Sequence, residues 1–510
     1  MSQAHAEPAE TTTSGGAPRG GAAPALLYGI DDVPPTVEAM TLGFQHYLTM
    51  FGSTVAIPLL LKDALGIGDD LVAVGKLIST MFFVSGLTTF LQVQFGNRLP
   101  IVQGGTFSFL APTFAICSMA ALKDAGWEVR MAHVQGAIIA GSFFEIFVGA
   151  TGLVGRLLRF IGPITIAPTI AIIGLNLFKF GAPIAGKHWG IGGLTIVLII
   201  LFSQVWKKRH RAFELFPILL AILAAWGVAT VCTFTGVFEE GHPAFVSFTY
   251  LDAAPWVRVP YPFQWGMPTF GAAAIVGMLS GYVASIVESI GDYYSCSRLA
   301  GLPPPSKRIV SKGILFEGIG CLVAGVIGTG NGTTSYSENI GAIGLTRVAS
   351  RRVMLWGAGI MITLGMIGKF GAIFTSIPQP VVGGMYCAMF GMIAAVGLSN
   401  LQFVDLNSAR NLFILGFAFF MGLSLPEYFG ANVFAFEWGV GWGEYLQLWG
   451  DTFTGRLGVF VVDASHAFAS VVNTLGKTGM AVAATFAMIL DNAIPGTPEE
   501  RGLTAWSRHA

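Results

Sequence analysis

Gly328-Thr-Gly-Asn-Gly-Thr-Thr-Ser-Tyr-Ser-Glu-Asn-Ile-Gly-Ala-Ile-Gly-Leu-Thr-Arg347 lies between two long apolar runs, 313–327 and 353–375. Hydrocarbon cannot satisfy the N–H and C=O groups of irregular backbone. Such a stretch persists at membrane depth only where protein buries it or a wet cavity meets it. Its first half, rich in Gly, Thr and Ser, suits an extended segment whose backbone faces a ligand, and its second half starts a helix. Ser337 is read as the N-cap, with Glu338 and Asn339 in the first turn. There the free N–H groups and the positive end of the helix dipole favour a carboxylate or a hydrogen-bonding ligand. A Gly-rich loop outside the membrane is the plainer reading of the same residues.

Composition sets the class. The chain has 510 residues, 53% hydrophobic and only 11% charged, with 67 glycines. Soluble domains carry about 25% charge, so a polytopic helical membrane protein is expected. Net charge is zero and the basic residues form no nucleic-acid patch. Cys117, Cys232, Cys296, Cys321 and Cys387 stand singly, without metal-ligand or disulfide spacing. No Walker-type sequence, HExxH or Ser/His/Asp set occurs, which argues against an enzyme or a primary pump. Residues 1–35, rich in Ala, Gly, Pro, Ser and Thr, are read as a disordered tail rather than a cleaved signal.

Spans of about 20 apolar residues are expected near 40–61, 71–95, 132–154, 160–178, 189–206, 212–236, 270–291, 313–328, 353–375, 380–398, 408–424 and 476–490. Two segments, 98–118 and 328–349, read as short strands followed by half-helices. Residues 429–470, with Trp438, Trp442 and Trp449, fit interfacial helices or one weakly marked span. Basic residues concentrate on the side that holds the N-terminus, most densely at Lys207-Lys208-Arg209-His210-Arg211. Both termini are therefore expected in the cytoplasm, with 237–268 as the longest external loop.

The halves repeat. Pro163 precedes Gly174 as Pro380 precedes Gly391, and Gly104-Gly105-Thr106-Phe107-Ser108 corresponds to Gly332-Thr333-Thr334-Ser335-Tyr336. Seven elements per half is odd, so the second copy inserts upside down. The expected fold is all-α, with fourteen transmembrane segments in two inverted seven-segment repeats and short strands in broken segments 3 and 10. The substrate site then lies between the broken segments near the midplane.

Ionisable groups inside spans are costly and mark function. Glu288 and Asp292 fall one turn apart on one helix face. Two carboxylates so placed repel unless a cation or proton lies between them, which suits Asp292 to a coupling ion and leaves Glu288 to accept hydrogen bonds. The plainer reading has Asp292 at the membrane surface or paired with Arg298. Ser108 is assigned to the coupling-ion site with Asp292. Gln45 and His46 are expected to bond the substrate or brace Glu288. Lys76, Glu145 and Asn176 are given no role.

At these residues the chain resembles the nucleobase-ascorbate transporter (nucleobase/cation symporter-2) family, and within it the animal solute carrier family 23 branch. The signature is a Gln, Glu or Pro followed by Asn-x-Gly-x-x-x-x-Thr-[Arg/Lys/Gly], and it reads here Glu338-Asn339-Ile340-Gly341-Ala342-Ile343-Gly344-Leu345-Thr346-Arg347. Gln45-His46, Gln103-Gly104-Gly105-Thr106-Phe107 and Glu288-Ser289-Ile290-Gly291-Asp292 extend the similarity, as does Pro495-Gly496-Thr497-Pro498-Glu499-Glu500-Arg501-Gly502. The resemblance implies a core domain (36–160 and 269–376) and a gate domain (161–268 and 377–490), with a C-terminal tail over 491–510. It also implies an elevator-like movement, a homodimer and a plasma-membrane location. By the same similarity Glu288 and Glu338 are the main substrate ligands and the backbone at Gly105 and Phe107 closes the pocket. Ser337 and Asn339 flank Glu338, and Thr346 and Arg347 support it from behind.

In this family ascorbate carriers have Pro at position 338, and nucleobase carriers have Gln or Glu. Uracil-like rings offer N–H donors that two carboxylates accept, whereas a second carboxylate repels the ascorbate anion. The expected function is symport of a nucleobase (uracil, thymine, guanine, xanthine or hypoxanthine) with sodium, held at Asp292, or with a proton in its place. No other cofactor is expected. Sodium-coupled ascorbate transport is the alternative, and an uncoupled channel or an anion exchanger ranks below it.

Overall fold

The computed structural model describes residues 26–68, 70–157, 160–434, 465 and 468–504. The indole-bearing stretch around Trp438, Trp442 and Trp449 lies outside the described residues. In chain order the main elements are α1 (Thr36–Leu65), α2 (Leu71–Gln94), β1 (Gln103–Gly105), α3 (Leu110–Cys117), α4 (Trp127–Thr151), α5 (Pro163–Asn176), α6 (Trp189–Ile200) and α7 (Pro217–Phe234). The second half gives α8 (Ala272–Leu299), α9 (Lys307–Ile327), β2 (Thr333–Ser335), α10 (Ser337–Thr346), α11 (Arg351–Met366), α12 (Gln379–Ser399), α13 (Ala409–Ala431) and α14 (Gly479–Ala493). Each of the fourteen expected segments has its counterpart here. Phe143, Val197 and Phe420, on α4, α6 and α13, are 58%, 59% and 68% exposed. Such flanks suit acyl chains rather than water.

Two bodies of helices form. In one, α1, α2, α4, α9 and α11 pack together around α3, α8 and α10. In the other, α5, α6 and α7 pack with α12, α13 and α14. Small residues set the close approaches. A Cβ on Gly149 of α4 would stand 2.3 Å from the Leu315 amide nitrogen of α9, so only glycine permits that crossing. Gly328, at φ 89°, ends α9 in the left-handed region and turns the chain into the irregular stretch.

That stretch pairs with its partner from the first half. β1 and β2 run antiparallel, with Gln103 opposite Ser335, Gly104 opposite Thr334 and Gly105 opposite Thr333, all buried. Side-chain amides satisfy the backbone where the ladder stops, as buried polar groups require. Asn339 Oδ1 accepts from the Val102 N–H at 2.9 Å, and Asn331 Oδ1 accepts from the Thr106 N–H at 2.8 Å. Each strand then feeds a half-helix, α3 by way of a 3-10 turn at Phe107–Phe109, and α10 directly. The ribbon therefore ties one inverted repeat to the other.

Ser337 is not the N-cap of α10. Tyr336 holds that extended position, and the Ser337 hydroxyl is drawn instead to a carboxylate on α8. Leu27–Ile30, at the end of the expected N-terminal tail, bond along the α10–α11 corner, with Leu27 N–H donating to Arg347 O at 2.8 Å and Ala349 N–H to Tyr28 O at 2.8 Å. At the other end, Asp491 pairs with both Arg410 and Arg501 at 2.9 Å, clasping the segment after α14 against α13.

Candidate functional site

The two half-helices bring their first turns to the middle of α8. Glu288, half-buried there, accepts a hydrogen bond at Oε2 from Ser108 Oγ at 3.2 Å. Glu338, also half-buried, accepts at Oε1 from Ser53 Oγ of α1. The other oxygen of each acid has no hydrogen bond among the described residues. Segments of opposite repeats thus supply one groove with two carboxylates, each steadied by a serine.

Asp292 lies one turn beyond Glu288 and is buried. Its Oδ1 accepts from Ser337 Oγ at 2.8 Å, whereas Oδ2 has no partner among the described residues. It makes no ion pair with Arg298 among the described residues. Ser108 meets Glu288 rather than Asp292, because the turn after β1 carries its hydroxyl to the acid nearer the ribbon.

Asn339 is wholly buried and its amide is committed to structure. With Oδ1 taken by Val102 N–H, its Nδ2 donates to His46 Nδ1 at 3.0 Å. His46 must then carry its proton on Nε2, a buried donor without a protein partner. His46 therefore braces Asn339, not Glu288. Gln45, half-buried on the same turn, makes no side-chain hydrogen bond among the described residues.

Phe107 is half-buried, and its ring meets Phe390 of α12 edge to face at 6.2 Å, with Ile173, Ile393 and Met480 around it. Gly105 closes β1 against Met81, where a Cβ would lie 2.9 Å from Sδ. Thr346 and Arg347 stand apart from this groove. They end α10, some nine residues and about 13 Å beyond its first turn. Arg347 takes a φ of 59° there, and its carbonyl accepts from Leu27 and Tyr28.

Sequence reasoning passed over Glu317 of α9. Its Oε1 accepts from Ser285 at 2.9 Å, Ser289 at 2.6 Å and Thr334 at 2.9 Å, and its Oε2 accepts from Tyr293 at 2.9 Å. An acid between Phe316 and Gly318 in an apolar run carries the signal that could have found it. Ser53 was missed as well, since one serine in an apolar helix gives no such signal.

Gly291 of α8 and Gly341 of α10 are exposed, and a Cβ at either would meet open space. Phe51, Val55 and Leu59 of α1 meet Val381, Val382 and Met385 of α12 around a small apolar cavity between the two bodies.

Residues 37–430 match the model of a permease family. Solute carrier family 23 member 2 of Rattus norvegicus is 47% identical, the alignment covering 95% of this chain and 77% of the relative. Solute carrier family 23 member 1 of Mus musculus is 44% identical over 95% and 83%, and nucleobase-ascorbate transporter 2 of Arabidopsis thaliana 38% over 95% and 91%. Among solved structures, the transmembrane domain of a cyanobacterium bicarbonate transporter, BicA, superposes with a TM-score of 0.53 at 15% identity, covering 76% of this chain and 95% of that one. The murine solute carrier 26 family member A9 anion transporter in its inward-facing state gives 0.54 at 11%, covering 79% and 67%. These two likenesses carry the inverted-repeat fold alone. The family match and the sequence relatives together assign the chain: it belongs to the permease family, as a multi-pass membrane transporter and not an enzyme.

Proposed function

We propose that this chain is a cation-coupled symporter of neutral nucleobases. The observation that carries the reading is the approach of Glu288 and Glu338, close enough for their charges to bear on one another, each with a serine on one oxygen and the other oxygen without a side-chain donor among the described residues. Uracil, thymine and the oxopurines present ring N–H groups that two such acceptors match. An ascorbate anion brings a negative charge toward two carboxylates in a poorly screened groove. The name nucleobase-ascorbate transporter, carried by a plant relative, spans both cargoes, and the carboxylate at 338 favours the first.

Asp292 takes the coupling cation. Its Oδ2, buried and unpartnered beside Glu288, suits sodium bound by oxygen ligands, with a proton as the alternative. The body carrying Glu288, Glu338 and Asp292 acts as the moving core, and the body of α5–α7 and α12–α14 as the gate. Both termini lie in the cytoplasm of a plasma-membrane carrier on this reading. A homodimer through the gate body fits the same scheme.

The test is radiolabelled uracil uptake into cells expressing the chain, competed by uracil, thymine, guanine, xanthine, hypoxanthine and ascorbate. Competition by the bases and not by ascorbate is expected. Competition by ascorbate alone would overturn the assignment.

A further inference from the structure

Two further acids lie beside α8, at the contact of α4 with α9, and the charge of one of them, Glu317, bears on Glu288 and Asp292. Glu145 is wholly buried, and among the described residues neither of its carboxylate oxygens meets a partner in hydrogen-bond geometry, the weak thiol donor of Cys321 being its polar neighbour. Glu317 is its opposite, with the hydroxyls of Ser285, Ser289, Thr334 and Tyr293 all donated to it. The helices nearly touch here, since a Cβ on Gly318 would stand 3.1 Å from the Glu145 carbonyl carbon. Glu317 is the charged group that bears on Glu145, and the other titratable side chains around it are Cys321, Tyr282 and Tyr293. None of these is basic, and no ion pair reaches either acid among the described residues.

Two carboxylate anions side by side in a buried contact repel strongly, and nothing cationic offsets them. Four O–H donors solvate a carboxylate anion, which fits Glu317. A carboxyl whose one donor neighbour is a weak thiol fits the neutral acid, because a buried anion without strong hydrogen bonds is far costlier. We propose that Glu145 and Glu317 form a proton-binding site separate from the substrate groove, with the proton held on Glu145 beside the Glu317 anion. Sodium suits the place poorly. A hard cation takes roughly six oxygen lone pairs, whereas the hydroxyls here aim their hydrogens at Glu317 and Glu145 has no companion ligand. Ser285 and Ser289 sit on α8, the helix of Glu288 and Asp292. Loss of this proton at alkaline pH therefore adds a second buried charge directly behind the substrate helix.

Infrared spectroscopy of the full chain in lipid tests this without any transported substrate, so its outcome stands apart from the cargo assignment. Expected at neutral pH is a carboxylic-acid C=O band that shifts slowly in D2O and is lost in Glu145→Gln. Should that variant fail to fold, carbon-13 carboxyl labelling of glutamate in a chain carrying Glu288→Gln and Glu338→Gln should shift the same band, and labelling of aspartate should leave it in place. Absence of the band, its survival in folded Glu145→Gln, its indifference to glutamate labelling, or its disappearance on adding sodium chloride would each overturn the proposal.

Discussion

Ser337 donates to Asp292 Oδ1 across 2.8 Å, joining the first residue of α10 to the acid that lies one turn past Glu288 on α8. One bond thus links the signature segment to the proposed ion site, and Asp292 Oδ2 keeps its lone pairs for another partner.

If Asp292 holds the coupling cation as proposed, replacing it should separate coupling from binding. Asp292→Asn should still exchange labelled for unlabelled nucleobase across proteoliposomes. It should not accumulate base above the external level under a sodium gradient, whereas the parent chain should accumulate it about 10-fold or more, a gradient worth roughly 1.4 kcal/mol per tenfold. Accumulation equal to the parent's would remove Asp292 from the ion site.

Glu338→Pro removes the carboxylate proposed to accept substrate N–H groups while respecting the helix, since proline is tolerated in a first turn. Each unpaired donor costs about 1–3 kcal/mol, so uracil affinity should fall about 10- to 100-fold with surface abundance unchanged. Retained high-affinity uptake of uracil and guanine by this variant would show that position 338 does not read the base.

Asn339→Ala should act on the scaffold rather than on the cargo. It strands the buried Val102 N–H and leaves His46 Nδ1 without its donor. The expected loss is about 1–3 kcal/mol of stability, read as a lower melting temperature in detergent both with and without uracil. Asn339→Asp keeps the acceptor for Val102 and should melt between the two.

The clasp after α14 is a separate unit. The side chain of Asp491 is fully buried and that of Arg410 is only 7% exposed, so Asp491→Ala leaves a buried guanidinium without its counter-charge. Breaking a buried pair on one side costs about 3–5 kcal/mol, and the melting temperature should drop accordingly. Asp491→Asn, which still accepts hydrogen bonds, should lose less.

The membrane-spanning pattern was legible in the apolar runs, and the broken segments in their Gly, Ser and Thr interruptions. What failed was the assignment of partners. Ser337 carries the composition of a cap, but a carboxylate from a helix some 45 residues earlier outcompetes the backbone for its hydroxyl. Asn339 follows the acid in the signature and looks like a ligand, yet it turns inward to hold β1. The Pro163–Gly174 and Pro380–Gly391 spacing marks two helices that do begin alike, each with proline in the first turn. Gly174 then packs against the Phe390 carbonyl, 2.4 Å from its would-be Cβ, and Gly391 faces open space. Glu317 shows the limit most plainly, because its donors come from α8 and β2 and no local window of sequence contains them.

The β1–β2 ribbon also bears on how such carriers diversify. Because main-chain bonds between Gln103–Gly105 and Thr333–Ser335 hold the two halves in fixed register, the spacing of residues that follow each strand is inherited from the backbone and not renegotiated with every mutation. An exchange at the head of the second half-helix then leaves the frame of the two repeats undisturbed, because that frame is held by main-chain bonds and not by the side chain exchanged.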